Sequence, residues 1–350
     1  MRLLTAIVLI GGLSLGLKAQ TDTVKIVGED PQKAERFYNE GTVLYDNGQL
    51  KPALQKFNDA IALKPDFAKA YFNRGVVKTD LGDKDGAMLD FNKTIELEPT
   101  ANAYFSRGQL KYSLNDAEGA KADYTSALGI DNMHAQSYYY RGSVYFDMKD
   151  YEAAIEDYKK AVVVKSDYAY AWNDMGSSYK MMENYEEALR CYKEAVKANP
   201  KLAFAYNNAG SVYRKEGKFD EAILEYSKAV DADPDYYIAY NNRGLSKMDK
   251  GDYEGAIADF TKAIEKNKDY AYAYNNRGSA KYKAENYSGA IEDFDKAISL
   301  NATYGSAFLN RGNAKEMLRN MTGACEDWNK AIDLGVKNSE FYVKQMCKQK

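Results

Sequence analysis

The chain is poor in the residues that catalysis and metal binding most often need. It has one histidine and three cysteines in 350 residues, and no group of His and Cys has the spacing of a metal site. No glycine-rich loop follows a strand pattern, and the carboxylates recur with a fixed period, as structural charges do. Because a catalytic site needs reactive groups held within mutual reach, the sequence predicts no enzyme, no cofactor and no metal. The lone His134 follows a predicted turn, where we expect it to be solvated.

An excess of charge of one sign is also lacking. The 48 basic and 51 acidic residues leave a formal net charge of −3, and Lys and Glu are interspersed at helical spacing, which is typical of a solvated face. Binding to phosphates needs a concentrated basic face. We therefore predict no nucleic-acid partner.

Long apolar runs are absent except at the N-terminus. Arg2 is followed by an apolar run from Leu3 to Leu17, and Lys18-Ala19 then precedes Gln20. Since about 20 apolar residues are needed to cross a bilayer, this shorter run predicts a secretory signal peptide over residues 1–19. No cysteine follows the run, which argues against a lipid anchor. We expect an exported mature chain, periplasmic or secreted, without a membrane span.

The three cysteines belong to a chain that we expect to meet oxidising conditions, where disulfides persist. Cys191 lies inside the repetitive part of the chain, and we predict that it is a small buried apolar residue. Cys325 and Cys347 both lie near the C-terminus, where a bond would hold the last helix in place. Because pairing cannot be read from a sequence, this disulfide is a hypothesis.

One glycine recurs along nearly the whole chain, and every step is 34 residues except one of 33. An alanine follows each of these glycines after twelve residues, and a large aromatic residue follows after sixteen. The glycines are Gly41, Gly75, Gly108, Gly142, Gly176, Gly210, Gly244, Gly278 and Gly312. The alanines are Ala53, Ala87, Ala120, Ala154, Ala188, Ala222, Ala256, Ala290 and Ala324. The aromatic residues are Phe57, Phe91, Tyr124, Tyr158, Tyr192, Tyr226, Phe260, Phe294 and Trp328. Nine copies of one short unit predict a solenoid.

Each copy reads as two helices joined by a turn, because its apolar residues recur at i, i+3, i+4 and i+7. The turns have residues that tolerate the left-handed conformation: Gly48, Gly82, Asn115, Gly217 and Gly251. The next position predicts a helix N-cap at Asp83, Asp116, Asp150, Asn184, Asp252, Asn286 and Asn320. A single hairpin cannot bury its aromatic surface, so we expect the copies to stack.

These landmarks resemble the tetratricopeptide repeat family, whose 34-residue pattern has aromatic, Gly, Tyr, Ala, Phe, Ala and Pro positions. The resemblance covers residues 34–338 and implies an all-α, right-handed superhelical solenoid of nine helix-turn-helix repeats, followed by a C-terminal capping helix over residues 339–350. A flexible lead-in over residues 20–33 precedes it, and we expect the first helix to start at Asp30-Pro31. The predicted repeats are 34–67, 68–100, 101–134, 135–168, 169–202, 203–236, 237–270, 271–304 and 305–338.

The family's leucine before the glycine is replaced by arginine in six copies, and the same six copies have an aspartate sixteen residues later. The arginines are Arg74, Arg107, Arg141, Arg243, Arg277 and Arg311. The aspartates are Asp90, Asp123, Asp157, Asp259, Asp293 and Asp327. The fifth and sixth copies lack both residues, which indicates structural salt bridges of possible bidentate geometry within each hairpin rather than a row of ligand-binding charges. Five copies also have lysine at the family's tyrosine position.

The resemblance implies that the first helix of each repeat lines a groove, and that its second, fifth, sixth and ninth residues face a bound peptide. Asparagine is frequent at the fifth and sixth positions: Asn39, Asn73, Asn173, Asn207, Asn208, Asn241, Asn242, Asn275, Asn276 and Asn310. Tyr170, Phe204 and Tyr272 occupy the second position. An amide both donates and accepts, so such a ladder can pair with the main chain of a peptide. Alternatively, the recurrence records duplication, or the asparagines serve their own backbone.

The function that these features favour is an exported scaffold, which binds an extended peptide or a partner helix in its groove. A glycan or cell-wall binder is an alternative because the chain has 31 tyrosines. An enzyme whose site is assembled from distant copies is a further alternative, since it would leave no local motif. The identity of the protein or peptide partner and self-association are left open.

Overall fold

The computed structural model describes residues 31–347, and all of its regular elements in this range are helices. The helices are α1 Pro31–Asp46, α2 Leu50–Leu63, α3 Ala68–Asp80, α4 Lys84–Leu97, α5 Ala101–Ser113, α6 Ala117–Ile130, α7 Ala135–Asp147, α8 Tyr151–Val164, α9 Ala169–Met181, α10 Tyr185–Ala198, α11 Ala203–Lys215, α12 Phe219–Ala232, α13 Tyr237–Asp249, α14 Tyr253–Lys266, α15 Ala271–Lys283, α16 Tyr287–Leu300, α17 Gly305–Met317, α18 Met321–Asp333 and α19 Ser339–Met346. The prediction of an all-α chain with nine hairpins and a terminal helix is confirmed over the described residues. The predicted signal peptide 1–19, the lead-in up to residue 30 and the last three residues of the predicted cap lie outside them. Residues 31–33 of the predicted lead-in are not flexible but form the start of α1.

The helices fall into two compact units, one with α1 to α4 and the other with α5 to α19. Within each unit, an odd-numbered helix pairs with the next even-numbered helix, which also packs on the first helix of the following hairpin. In the second unit the first helices of successive hairpins also contact each other from α7 to α17. We call the face formed by α7, α9, α11, α13, α15 and α17 the first-helix surface.

Each repeating glycine lies beneath the ring of the aromatic residue sixteen positions later. A Cβ on Gly210 would lie 2.8 Å from Cε1 of Tyr226, a distance at which the ring would have to move. The ring and the nearby Ala222 are buried. The same close approach recurs in all nine copies, so the glycine makes room for the largest side chain of each hairpin core.

The turns inside the hairpins use a left-handed residue whether or not that residue is glycine. All five predicted turn residues have positive φ, between 63° and 85°. Four others at the equivalent position were not predicted, because they are neither Gly nor Asn: Lys149, Glu183, Glu285 and Arg319, with φ between 59° and 63°. The seven predicted caps are confirmed, since each side chain accepts a hydrogen bond from the backbone N–H three residues later.

The C-terminal helix is attached by a covalent bond and by ring stacking. Cys325 and Cys347 form a disulfide with a Cα–Cα distance of 5.8 Å, and Tyr342 stacks on Trp328 with ring centroids 5.1 Å apart. The third cysteine, Cys191, is a buried thiol, and burial raises its pKa to about 12. It is therefore a packing residue rather than a nucleophile.

The expectation of a solvated His134 was wrong. Its Nδ1 accepts a hydrogen bond from the backbone N–H of Ser137 and caps α7, while Nε2 lies 3.1 Å from Oδ1 of Asn102 in α5. Its ring also packs on Phe105, with centroids 5.1 Å apart. The side chain joins two neighbouring hairpins, and partial burial lowers its pKa.

Within residues 31–347, no helix has the length and apolar composition that crossing a membrane requires.

Candidate functional site

The six arginines that the sequence singled out each lie against the aspartate of the same hairpin. Every pair is bidentate, with Nε–Oδ2 distances of 2.7–2.9 Å and Nη2–Oδ1 distances of 2.5–2.8 Å. The aspartates are buried, and each guanidinium also lies over the ring three residues earlier. In five copies Nη1 of the arginine also donates to a side chain of the preceding repeat. These groups are occupied by structural contacts, so their role is structural.

In five of these pairs, a lysine whose role the sequence analysis did not predict also contacts the aspartate. Its Nζ lies 2.8 Å from Oδ2 of the same aspartate. The five are Lys78, Lys111, Lys247, Lys281 and Lys315. This contact could have been predicted from the sequence, because this lysine occurs only in copies that have both the arginine and the aspartate.

The fifth and sixth copies, which lack this pair, have cavities lined by the residues that replace it. A cavity of about 520 Å³ is lined by Met175 and Cys191 among others, and one of about 370 Å³ is lined by Ala209 and Glu225 among others. The guanidinium and its partners therefore also fill space between the two helices of a hairpin.

The asparagines of the first helices bond to one another across repeat boundaries. Asn at the sixth position donates its Nδ2–H to Oδ1 of Asn at the fifth position of the preceding repeat, at 2.9–3.0 Å. The pairs are Asn208 to Asn173, Asn242 to Asn207, Asn276 to Asn241 and Asn310 to Asn275. These amides bond to neighbouring side chains, so the alternative that they serve their own backbone does not describe them.

The two asparagine positions differ in burial. The fifth-position side chains of Asn173, Asn207, Asn241 and Asn275 are 3–7% exposed, and they hold successive repeats together. The sixth-position side chains are only half-buried. In the first unit, Asn73 likewise donates to the hydroxyl of Tyr38, at 3.2 Å, while Asn39 is exposed. The buried asparagines thus lie beneath the first-helix surface, and the sixth-position amides are partly exposed on it.

The predicted aromatic residues lie beside this ladder. Tyr170 and Tyr272 are 50% and 54% exposed, and Phe204 is half-buried. Tyr170 packs on Phe204 with centroids 5.7 Å apart, and Tyr272 packs on Tyr304 at 5.1 Å. The surface therefore combines amide groups with exposed ring faces.

Models of a known repeat match most of the chain. One described as TPR repeat matches residues 41–82, 142–183, 210–247 and 244–284. Three described as tetratricopeptide repeat match residues 169–202 and 271–304, residues 191–224, and residues 68–100 and 101–132. A comparison with curated proteins found no match.

Three solved structures are similar to the chain to different extents. The Cut9–Hcn1 hetero-tetramer of the APC/C is similar with a TM-score of 0.55 and 13% identity, over 90% of this chain and 76% of that chain. MamA is 32% identical over 47% of this chain and 96% of its own, with a TM-score of 0.44. YrrB, described as a TPR protein with an unusual peptide-binding site, is 29% identical over 52% of this chain and 95% of its own, also with a TM-score of 0.44.

Proposed function

Since the chain belongs to the tetratricopeptide repeat family, we propose that it is an exported scaffold that binds an extended peptide segment of a partner protein on the first-helix surface. Its fold is that of a protein-interaction scaffold. In this proposal the chain binds and positions its partner and does no chemistry itself.

The observation that carries the proposal is the hydrogen-bonding capacity left at three asparagines of successive repeats. Asn208, Asn242 and Asn276 each use one N–H to bond the preceding repeat, and Oδ1 of Asn242 and of Asn276 also accepts one bond from the adjacent asparagine, at 3.4 Å. An amide side chain has two N–H donors and two acceptor sites. Each of these half-buried groups thus retains a donor and an acceptor for the N–H and C=O groups of a ligand backbone, whatever its side chains are.

The repeat spacing fits an extended chain. Packed helices lie about 8–10 Å apart, whereas an extended chain rises about 3.3 Å per residue. Successive sixth-position amides would therefore meet the ligand roughly once every three residues. The exposed rings of Tyr170 and Tyr272 would contact side chains between these points, as in pockets that combine apolar surface with a few polar groups.

The disulfide between Cys325 and Cys347 supports the export part of the proposal. Disulfides persist in oxidising compartments and are rare in the reducing cytosol. Together with the apolar N-terminal run of the sequence, it favours a periplasmic or secreted mature chain. Fusion of residues 1–30 to a reporter that is active only after export tests this part, and a reporter that stays in the cytoplasm would contradict it.

The binding part is tested by panning the full chain against a displayed library of random dodecapeptides. We expect enriched peptides, and we expect the combined Asn208→Ala, Asn242→Ala and Asn276→Ala variant to bind them about a hundredfold more weakly, since each net hydrogen bond contributes about 1 kcal/mol. The matched control replaces Lys228, Lys262 and Lys296, which are exposed on the second helices of the same three repeats, by alanine.

Circular dichroism checks that both triple variants retain the wild-type helix content, and the three single substitutions replace the triple variant if it does not. An unchanged affinity after loss of the amides would contradict the role of the ladder. Retention of polysaccharide alone from an envelope extract, together with no enriched peptide, would instead favour the glycan alternative.

A further inference from the structure

A cavity of about 340 Å³ lies on the first-helix surface where α7, α9 and α11 meet. Its polar lining includes the carboxylates of Asp147 and Asp174, and its apolar lining includes the rings of Phe146 and Tyr158. Asn208, one of the amides of the proposed peptide site, also lines it. None of its lining residues is basic.

Asp174 is a largely buried carboxylate that has only neutral partners. It accepts hydrogen bonds from the hydroxyl of Tyr139 and from Nδ2 of Asn173, both at 2.8 Å. Asp147 accepts a hydrogen bond from the hydroxyl of Tyr112. Over residues 31–347, neither carboxylate has a Lys, Arg or His nitrogen within 4.0 Å.

Asp147 is exposed, but the surroundings of Asp174 differ from those of the other carboxylates inside the array. The six aspartates that are 3–4% exposed inside the hairpins each have a bidentate arginine, and five of them also have a lysine. Burial of a charge is costly unless it is paired. Consistent with this cost, the pKa of Asp174 lies above its ordinary value, because the effect of burial exceeds the lowering effect of the hydrogen bonds from Tyr139 and Asn173.

We propose that this cavity takes the cationic side chain, lysine or arginine, of the segment that binds on the first-helix surface. The two carboxylates pair with the charged head, and the rings of Phe146 and Tyr158 contact its methylene stem and its cation. The cavity has the size of a small ligand pocket. This inference rests on the proposed function, because Asn208 then holds the backbone of the same segment next to its anchoring side chain.

The test uses peptides enriched by the full chain from the random dodecapeptide library. We expect these peptides to share one lysine or arginine, and a synthetic peptide in which norleucine replaces it should bind at least tenfold more weakly to the wild-type chain. Asp174→Asn and Asp147→Asn should each reduce affinity for the cationic peptide and leave affinity for the norleucine peptide unchanged. Asparagine occupies the position of Asp174 in the next four repeats, so this substitution is compatible with the fold.

Asp80→Asn is the matched control, because Asp80 accepts a hydrogen bond from Tyr45 as Asp147 does from Tyr112 but does not line the cavity. It should leave the preference for the cationic peptide intact. Enriched peptides without a shared cation, or a preference that survives both cavity substitutions, would overturn this inference and leave the peptide scaffold standing. If no peptide is enriched at all, the scaffold proposal fails and this inference fails with it.

Discussion

Single residues in this chain take roles that depend on the copy in which they lie. Asparagine at the fifth position of a first helix is buried and accepts a bond from the next repeat, while asparagine at the sixth position stays half-exposed. The fifth copy has Asp174 at that sixth position, which introduces a charge without a cation. This residue supplies one of the two carboxylates of the cavity that we propose for a cationic side chain.

His134 makes the stability of the fold depend on pH. Its folded pKa lies below the unfolded value of about 6.5 because it is partly buried, so the unfolded chain binds more protons in that range. The histidine therefore contributes stability that is present above pH 6.5 and is lost as the pH falls towards and through its folded pKa. We expect His134→Asn, which keeps an N-cap acceptor, to lose less stability between pH 8 and pH 5.5. Urea unfolding of both chains measures the difference, since carboxylates titrate alike in both, and equal losses would contradict this assignment.

The left-handed turn residues carry a backbone strain that substitution can relieve or introduce. A non-glycine residue in this conformation costs about 1 kcal/mol or slightly more, so Glu285→Gly should raise the free energy of unfolding by about that amount. Gly251→Glu should lower it by a similar amount, because a Cβ there would meet nothing within 4 Å and only the backbone is affected. Denaturant titration of the two variants checks the pair, and changes of the same sign would refute the strain argument.

At the scale of helices and hairpins, the charged triads link the two helices in five of the nine hairpins. Asp293→Ala leaves Arg277 and Lys281 without their common partner, and we expect a loss of about 3 kcal/mol in unfolding free energy. Adding Arg277→Met, which introduces the residue of the fifth copy, removes one of the two unpaired charges. The double variant should therefore lose less unfolding free energy than the sum of the losses of the two single variants. A double-mutant cycle by chemical denaturation measures this coupling, and additive losses would count against it.

The terminal element gives a separate prediction, because α19 is fixed by the disulfide and by the stack of Tyr342 on Trp328. Closing a loop with a sequence separation of 22 residues stabilises by roughly 3 kcal/mol in the chain-entropy account. Reduction should therefore speed hydrogen exchange in Ser339–Met346 and leave the helices before α17 unchanged. The combined Cys325→Ser and Cys347→Ser variant should reproduce the effect, whereas protection of α19 that survives reduction would show that packing alone holds it.

How far these elements could be predicted depends on whether their signal repeats along the sequence. The hairpins, the caps and the glycine beneath its ring recur at a fixed period, so the sequence alone indicated them. The arginines and aspartates occur in the same copies, and this co-occurrence indicated their pairing. The lysine occurs in five of these copies, so its contact with the aspartate could have been predicted in the same way. The turn at Glu285 was not predictable from residue type, because the hydrogen bonds that end α15 impose its conformation. The contacts of Asn276 and of Asp174 depend on the register between neighbouring hairpins, which periodicity alone does not specify.

At the scale of the whole molecule, each hairpin packs on its neighbours in the chain, within each of the two compact units. Stability in such arrays is approximately a sum of hairpin and interface contributions, so exposed first-helix side chains, which add little to either contribution, can change without loss of the fold. The first-helix surface of the second unit has repeated amides, exposed rings beside them and one acidic cavity. These are the groups that we propose for recognition.

The most direct test of peptide binding on this surface is an NMR titration of the chain, labelled with ¹⁵N in asparagine side chains, with a peptide enriched from the random library. We expect shifts of the side-chain amide signals of Asn208, Asn242 and Asn276, with little change at Asn329, which bonds to the backbone of α18. Saturable binding that leaves all three amide signals unmoved would contradict it.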